Sequence, residues 1–208
     1  MRAPSNPVRA PCIYESPPPT QPPPTPDTQP PSQPANHPRQ QIMPTLKVGD
    51  SFPDDVAFAY IPPSAEGDIK VCGIPQQYDA SKEFKAKKVI LVSVPGAFTP
   101  TCQASHLPSY LDNKARLRAK GVDHVVVVAF NDPYVMSAWG KANAVADDFV
   151  IFASDADAKF SKSIGWNLGE RTARYAIVVD HGKVVYASRD DDPKSIDQSG
   201  AETVLGKL

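Results

Sequence analysis

Residues 89–107 read VILVSVPGAFTPTCQASHL. The opening VILVSV is apolar at nearly every position instead of alternating, which predicts a strand covered on both faces. Pro95 and Gly96 stop it. Thr99 and Pro100 suit the start of a helix, and Ala104, Leu107, Leu111 and Ala115 then recur at helical spacing. The stretch therefore predicts a strand, a tight loop and a helix over 102–119, the unit from which layered α/β domains are built. Cys102 falls in the first turn of that helix. The helix dipole and unsatisfied N–H groups there favour thiolate, the nucleophilic form of the side chain. Taken alone, the placement leaves two readings open: a reactive thiol, or a small buried core residue.

Outward from this unit the same alternation continues. VAFAYI (56–61), HVVVVAF (124–130), FVIFAS from 149, YAIVVD (175–180) and KVVYAS (183–188) are short, rich in Val and Ile, and bounded by Pro, Gly, Asp or Asn, the signature of strands. Helices are expected at 79–86, 134–145 and 156–164, with a last one around Ala201, Val204 and Leu205. His181-Gly182 joins the last two strands as a hairpin. The expectation is one α/β domain over residues 45–208 with a central sheet flanked by helices.

Residues 1–44 differ in kind. They hold 15 of the 24 prolines and almost no aliphatic residues to offset the entropy of ordering, so they are expected to be disordered with polyproline II character. A PxxP match at Pro19–Pro22 is what so many prolines produce by chance. Met43 marks the change of composition and is a conceivable alternative start. Cys12 lies in this tail, with no defined chemistry expected of it.

The charge is nearly balanced, with 22 Lys and Arg against 23 Asp and Glu, which gives no reason to expect nucleic acid or an anionic membrane as partner. No apolar run approaches the ~20 residues of a membrane helix, so a soluble protein is expected. Three widely spaced cysteines make neither a secreted disulfide framework nor a Cys-x-x-Cys pair. Histidines 37, 106, 124 and 181 are scattered, so no structural zinc site, and no cofactor, is expected.

Pro95-x-x-x-Thr99-x-x-Cys102, followed by SHLP (105–108), NDPY (131–134), SAWGKA (137–142) and RYAIVVD (174–180), resembles the peroxiredoxins. The similarity is to the peroxiredoxin-five branch and its fungal thiol peroxidases related to peroxisomal membrane proteins and mould allergens, and it runs from about residue 45 to the C-terminus. The resemblance implies a thioredoxin-like fold with a central mixed sheet, and reduction of hydrogen peroxide or organic hydroperoxides as part of antioxidant defence. Cys102 would be the peroxidatic cysteine, oxidised to sulfenic acid. Thr99 would direct its hydroxyl at thiolate and peroxide, and Pro95 would shape and shield the pocket. Arg174 matches the family's active-site arginine and would stabilise the developing negative charge. Arg171 is its rival, or a solvated loop charge. His106, Asp132, Trp139 and Glu170 are expected to be structural.

Regeneration divides the family. The mammalian relatives carry a second cysteine near the C-terminus, and ASRDDDPKSIDQSGAETVLGKL has none. Cys72, in VCGIPQQY, matches a position that in some fungal members forms a disulfide between subunits. This implies Cys72 as resolving residue, a homodimer, and thioredoxin as reductant. The alternatives are an inert Cys72, or resolution by glutathione or glutaredoxin. Pro108 inside the predicted helix removes a hydrogen bond and is expected to ease unwinding of the turn that holds Cys102. The C-terminal Gly-Lys-Leu is a poor match to the peroxisomal Ser-Lys-Leu signal. The cytoplasm is therefore expected, with peroxisome or mitochondrion as alternatives. Two other classes stand beside the peroxidase. One is a redox sensor that relays oxidation to a client. The other is a scaffold whose proline-rich arm docks partners, although a scaffold has no need of Pro95, Thr99, Cys102 and Arg174 together.

Overall fold

The computed structural model describes residues 45–208; the expected disordered tail, Cys12, the PxxP match and Met43 lie outside the described residues. The chain from 57 on forms β1 (Ala57–Tyr60), β2 (Gln76–Asp79), α1 (Ala80–Ala86), β3 (Lys88–Ser93), α2 (Leu107–Asp112), α3 (Lys114–Ala119), β4 (His124–Ala129), α4 (Pro133–Ala142), β5 (Val150–Ser154), α5 (Lys159–Ser163), β6 (Asn167–Leu168), β7 (Arg171–Thr172), β8 (Tyr175–Asp180), β9 (Lys183–Arg189) and α6 (Ala201–Leu205). Seven strands make one mixed sheet in the order β2-β1-β5-β4-β3-β8-β9. The central β3, β4 and β5 run parallel, while β1 and β8 are antiparallel to their neighbours.

Alternate residues of β3 feed two cores. Ile90 and Val92 join Tyr110, Leu117, Met136 and Trp139 on the face that contains Cys102. Val89 and Leu91 join Phe52, Phe58, Phe84 and Phe160 on the other. This double covering is why the strand reads as an unbroken apolar run. At the β8–β9 turn His181 and Gly182 have φ of 46° and 84°, both left-handed, as a two-residue hairpin matched to strand twist requires.

Three features differ from the pattern read off the sequence. β2 and the β6–β7 pair carry no apolar alternation: in QQYD at the sheet edge only Tyr78 is buried, and β6 and β7 have two residues each. The predicted 102–119 helix is in three parts. Cys102–His106 is a π-helical segment in which the Leu107 N–H reaches back to the Cys102 carbonyl. The next residue, Pro108, has no N–H for the carbonyl of Gln103 or of Ala104, and the register changes there. Asn113, at φ −99° and ψ 11°, then separates α2 from α3. Likewise the predicted 156–164 helix is interrupted at Asp157 and Ala158, both at positive φ. The buried Asp155 carboxylate reorganises this turn by accepting from the N–H groups of Phe160 and Ser161.

Candidate active site

The loop after β3 is held from three sides. The Ala97 N–H donates to Asn131 Oδ1 at 2.9 Å, which gives the NDPY motif its role. The Thr99 hydroxyl donates to the Gly96 carbonyl at 2.9 Å. Thr172 Oγ1 donates to the carbonyl of Val94, and Ser93 Oγ to that of Ala173. Gly96 is confined: an added Cβ would lie 3.2 Å from Thr99 Cγ2 and 3.6 Å from Arg171 Nη1. The helix opens at Pro100 with the Thr99 carbonyl accepting from the Gln103 N–H. Cys102 is thus on the first helical turn, and it has no solvent exposure.

Arg174 reaches this sulfur from across the sheet. Ser93 pairs with Tyr175 in the β3–β8 register, so residue 174 lies where β3 gives way to the Cys102 loop. Arg174 is 2% exposed. Nη2 donates to Cys102 Sγ at 3.4 Å, Nη2 and Nε donate to the Pro193 carbonyl at 2.9 and 3.1 Å, and Nη1 donates to His106 Nδ1 at 2.9 Å. Because Nδ1 accepts, the proton of the imidazole is on Nε2, which donates to the Ser199 carbonyl at 3.0 Å. Burial first, and the adjacent Arg174 charge with it, push the His106 pKa down to about 3. His106 is therefore a neutral support for Arg174, in accord with the structural reading of this residue.

The loop between β9 and α6 completes the support. Asp190 is buried, accepts from the Gln198 and Ser199 N–H groups and from the Ser199 hydroxyl, and its own N–H is bonded to the Arg174 carbonyl. Ser199 in turn offers its carbonyl to His106 and, at 2.6 Å, to the Tyr110 hydroxyl. Sequence reasoning missed Asp190, Pro193 and Ser199. DDDP reads as a solvated acidic run, and nothing in the string distinguishes its buried first member.

Of the predicted site residues, Cys102 and Arg174 touch, Thr99 lies in the same turn, and Pro95 is half-buried at the start of the loop. Arg171 is exposed, with its guanidinium carbon 5.0 Å from the centre of the Phe130 ring. Asp132 caps α4 and Trp139 is a core residue. Glu170 is a surface partner of Lys162. Cys72 is exposed, in the segment between β1 and β2. The C-terminal end of α4 is bonded beside each cysteine: Lys141 donates to the Val71 carbonyl next to Cys72, while Asn143 just past the helix end is bonded to Gln103 next to Cys102. No group of three His, Cys, Asp or Glu that could hold a metal occurs among the described residues.

A buried cysteine at a helix start, facing a guanidinium with every arm held, is suited to nucleophilic chemistry that gathers negative charge at sulfur. Comparisons with known proteins show the family. The Redoxin family matches residues 47–205. The chain is 58% identical to a putative peroxiredoxin, prxA, of Emericella nidulans, over 80% of this chain and all of that one. It is 55% identical to peroxiredoxin Pen c 3 of Penicillium citrinum, over 79% and 99% of the two chains. It is 48% identical to a putative peroxisomal peroxiredoxin of Lipomyces kononenkoae, over 76% and 99%. Among solved structures, reduced Prx3 of Vibrio vulnificus in complex with hydrogen peroxide superposes with a TM-score of 0.67 at 34% identity, covering 78% of this chain and 98% of that one. With a thiol and guanidinium so arranged, on this fold and at these identities, the chain belongs to the Redoxin family, among its peroxiredoxins.

Proposed function

We propose that this thiol-dependent peroxidase attacks peroxide with Cys102, that Pro95, Thr99 and Arg174 complete the peroxide pocket, and that Cys72 of a second copy resolves the product. The carrying observation is the Arg174 Nη2 contact with the Cys102 sulfur at 3.4 Å in a buried setting. The Cys102 thiolate bonds to one peroxide oxygen, the O–O bond breaks, and the other oxygen leaves as water or alcohol after taking a proton. Negative charge spreads over sulfur and both oxygens in the transition state, where the fixed donors of Arg174 act without reorganising. The proton of the Thr99 hydroxyl is given to Gly96, so its oxygen acts as acceptor for the peroxide O–H, which orients the attacked oxygen toward sulfur.

The Cys72 thiolate then attacks the sulfenic sulfur. An S–S bond forms, the S–O bond breaks, and hydroxide leaves as water. A thioredoxin-type dithiol returns both thiols. One observation supports pairing between subunits: Phe98, in the loop that leads to Cys102, stands about half exposed, as do Tyr134 and Leu168, apolar side chains that a second copy would cover. Residues 45–208 act as one peroxiredoxin domain.

No helix of the described residues is long and apolar enough to cross a membrane. We propose the cytoplasm as its compartment, with the peroxisome as the second reading. The peroxisomal name of one relative favours the second reading. A fluorescent fusion that exposes the C-terminus is expected to be diffuse with or without Leu208; punctate signal lost on removing Leu208 overturns the assignment.

The functional test is intact mass and a non-reducing gel after one equivalent of hydrogen peroxide. Wild type is expected to give a disulfide-linked dimer within seconds, absent in Cys102→Ser and in Cys72→Ser. A dimer that persists in Cys72→Ser moves the resolving role to Cys12. Wild type that stops at sulfenic acid points to an external thiol, and an unoxidised Cys102 ends the peroxidatic assignment.

A further inference from the structure

The turn that carries Cys102 is fastened to α4 through its neighbour, Gln103. Gln103 Oε1 accepts from Trp139 Nε1 at 2.5 Å and from Asn143 Nδ2 at 3.3 Å, and its Nε2 donates to Asn143 Oδ1 at 2.7 Å. Asn143 is itself fixed, with Nδ2 donating to the Trp139 carbonyl at 2.8 Å. The orientation of both amides follows: the indole nitrogen only donates, so Gln103 must present its oxygen there and its NH₂ to Asn143.

Cys102 is wholly buried and Cys72 is exposed, so the two sulfurs meet only if the Cys102 turn opens. Its backbone resists weakly, being in π register and followed by Pro108, which supplies no N–H. The side chain of Gln103 resists more. Withdrawing it strips the acceptor from the Trp139 indole N–H, on a residue with no solvent exposure, and a buried donor left unpaired is costly.

We propose that Gln103 is a positioning residue for the second half of the cycle: clamped by Trp139 and Asn143, it sets how often the oxidised turn opens. It thereby divides the sulfenic acid between two fates. In the open turn Cys72 captures it as disulfide with loss of water. In the closed turn the sulfenate attacks a second peroxide, a new S–O bond forms as the O–O bond breaks, and sulfinic acid results with release of water or alcohol. The proposal rests on the reading of Cys72 as resolving residue, and its test separates the two.

In Gln103→Met the indole N–H is unpaired whether the turn is closed or open, so the gap between the states narrows. Rapid-quench alkylation with intact mass is expected to show disulfide formation accelerated about tenfold, as the loss of one or two half-buried hydrogen bonds brings, with the first oxidation of Cys102 within about twofold of wild type and the sulfinic fraction at fixed excess peroxide lowered. Trp139→Phe is expected to act in the same direction, and the double variant to be no faster than the quicker single one, because both remove the same bond. Unchanged or slower disulfide formation overturns the proposal. So does a first oxidation that falls in step, which would mark Gln103 as merely structural. In a Cys72→Ser background, trapping of sulfenic acid by dimedone is expected to quicken about tenfold with Gln103→Met. If no Cys72 disulfide forms in any variant yet trapping still quickens, the Cys72 reading fails and the clamp stands. If trapping does not quicken, the clamp fails.

Discussion

Arg174→Met is expected to slow the oxidation of Cys102 by hydrogen peroxide about 100- to 1000-fold, the cost of removing one preorganised charge-stabilising donor, or roughly 3–4 kcal/mol of transition-state stabilisation. The reason is specific to how this guanidinium is held. Its contacts with the Pro193 carbonyl and with His106 leave Nη2 directed at the sulfur, so no reorganisation is needed when charge appears. Methionine fills comparable volume without charge or donors. Arg174→Lys keeps the charge but cannot bond the carbonyl, the imidazole and the sulfur together, and is expected to recover only part of the rate. Arg171→Met is the control: that residue is exposed over Phe130, and the variant is expected within about threefold of wild type, since it removes no donor from the buried sulfur. Stopped-flow oxidation under pseudo-first-order peroxide decides the matter. An Arg174→Met rate near wild type, or an Arg171→Met loss as large, sinks the assignment.

The second large effect is on stability against pH. His106 titrates near 6.5 when unfolded and near 3 in the folded protein. Between those values the unfolded chain binds the extra proton and the folded one does not, so stability is fully present well above pH 6.5 and is lost as pH falls through and below it. The loss approaches about 1.4 kcal/mol per pH unit well below pH 6.5, and comes to roughly 2 kcal/mol between pH 6.5 and pH 4.5. Buried Asp155 works in the opposite sense, because burial raises its pKa and the folded state holds its proton more tightly. The difference between wild type and His106→Gln isolates the histidine. Glutamine can donate to the Ser199 carbonyl and accept from Arg174 without a titrating group. Urea unfolding at pH 7.5, 6.5, 5.5 and 4.5 is expected to show the wild-type curve dropping away from the variant's below pH 6.5. Parallel curves would mean that the imidazole is protonated beside Arg174, and the support described for the guanidinium would be wrong.

Much of this was legible in the string because it is local. A short apolar run rich in Val and Ile, without alternation and bounded by turn residues, reads as a strand with both faces covered, and β3, β4 and β5 are such strands. The position of Cys102 after a strand and at a helix start follows from the residues around it. The familiar spacing of Pro95, Thr99 and Cys102 lies within eight residues. β2 escaped notice because an edge strand with one buried residue leaves no pattern, and the break after His106 because proline in a helix does not say which register the chain takes before it.

What the order of residues could not reveal is whatever long-range pairing decides. Arg171 and Arg174 are alike in the string; the β3–β8 register buries one against the sulfur and leaves the other in solvent. The first of three aspartates at 190–192 becomes the hub of a loop only because that loop closes over Arg174. Gln103 reads as a surface glutamine until α4, some 36 residues on, lays Trp139 and Asn143 against it. Sequence thus determined the central strands, the helix start and the thiol. The tertiary fold decided what the thiol faces and what holds it closed, because hydrogen bonds between distant residues exist only once the sheet has brought their carriers together.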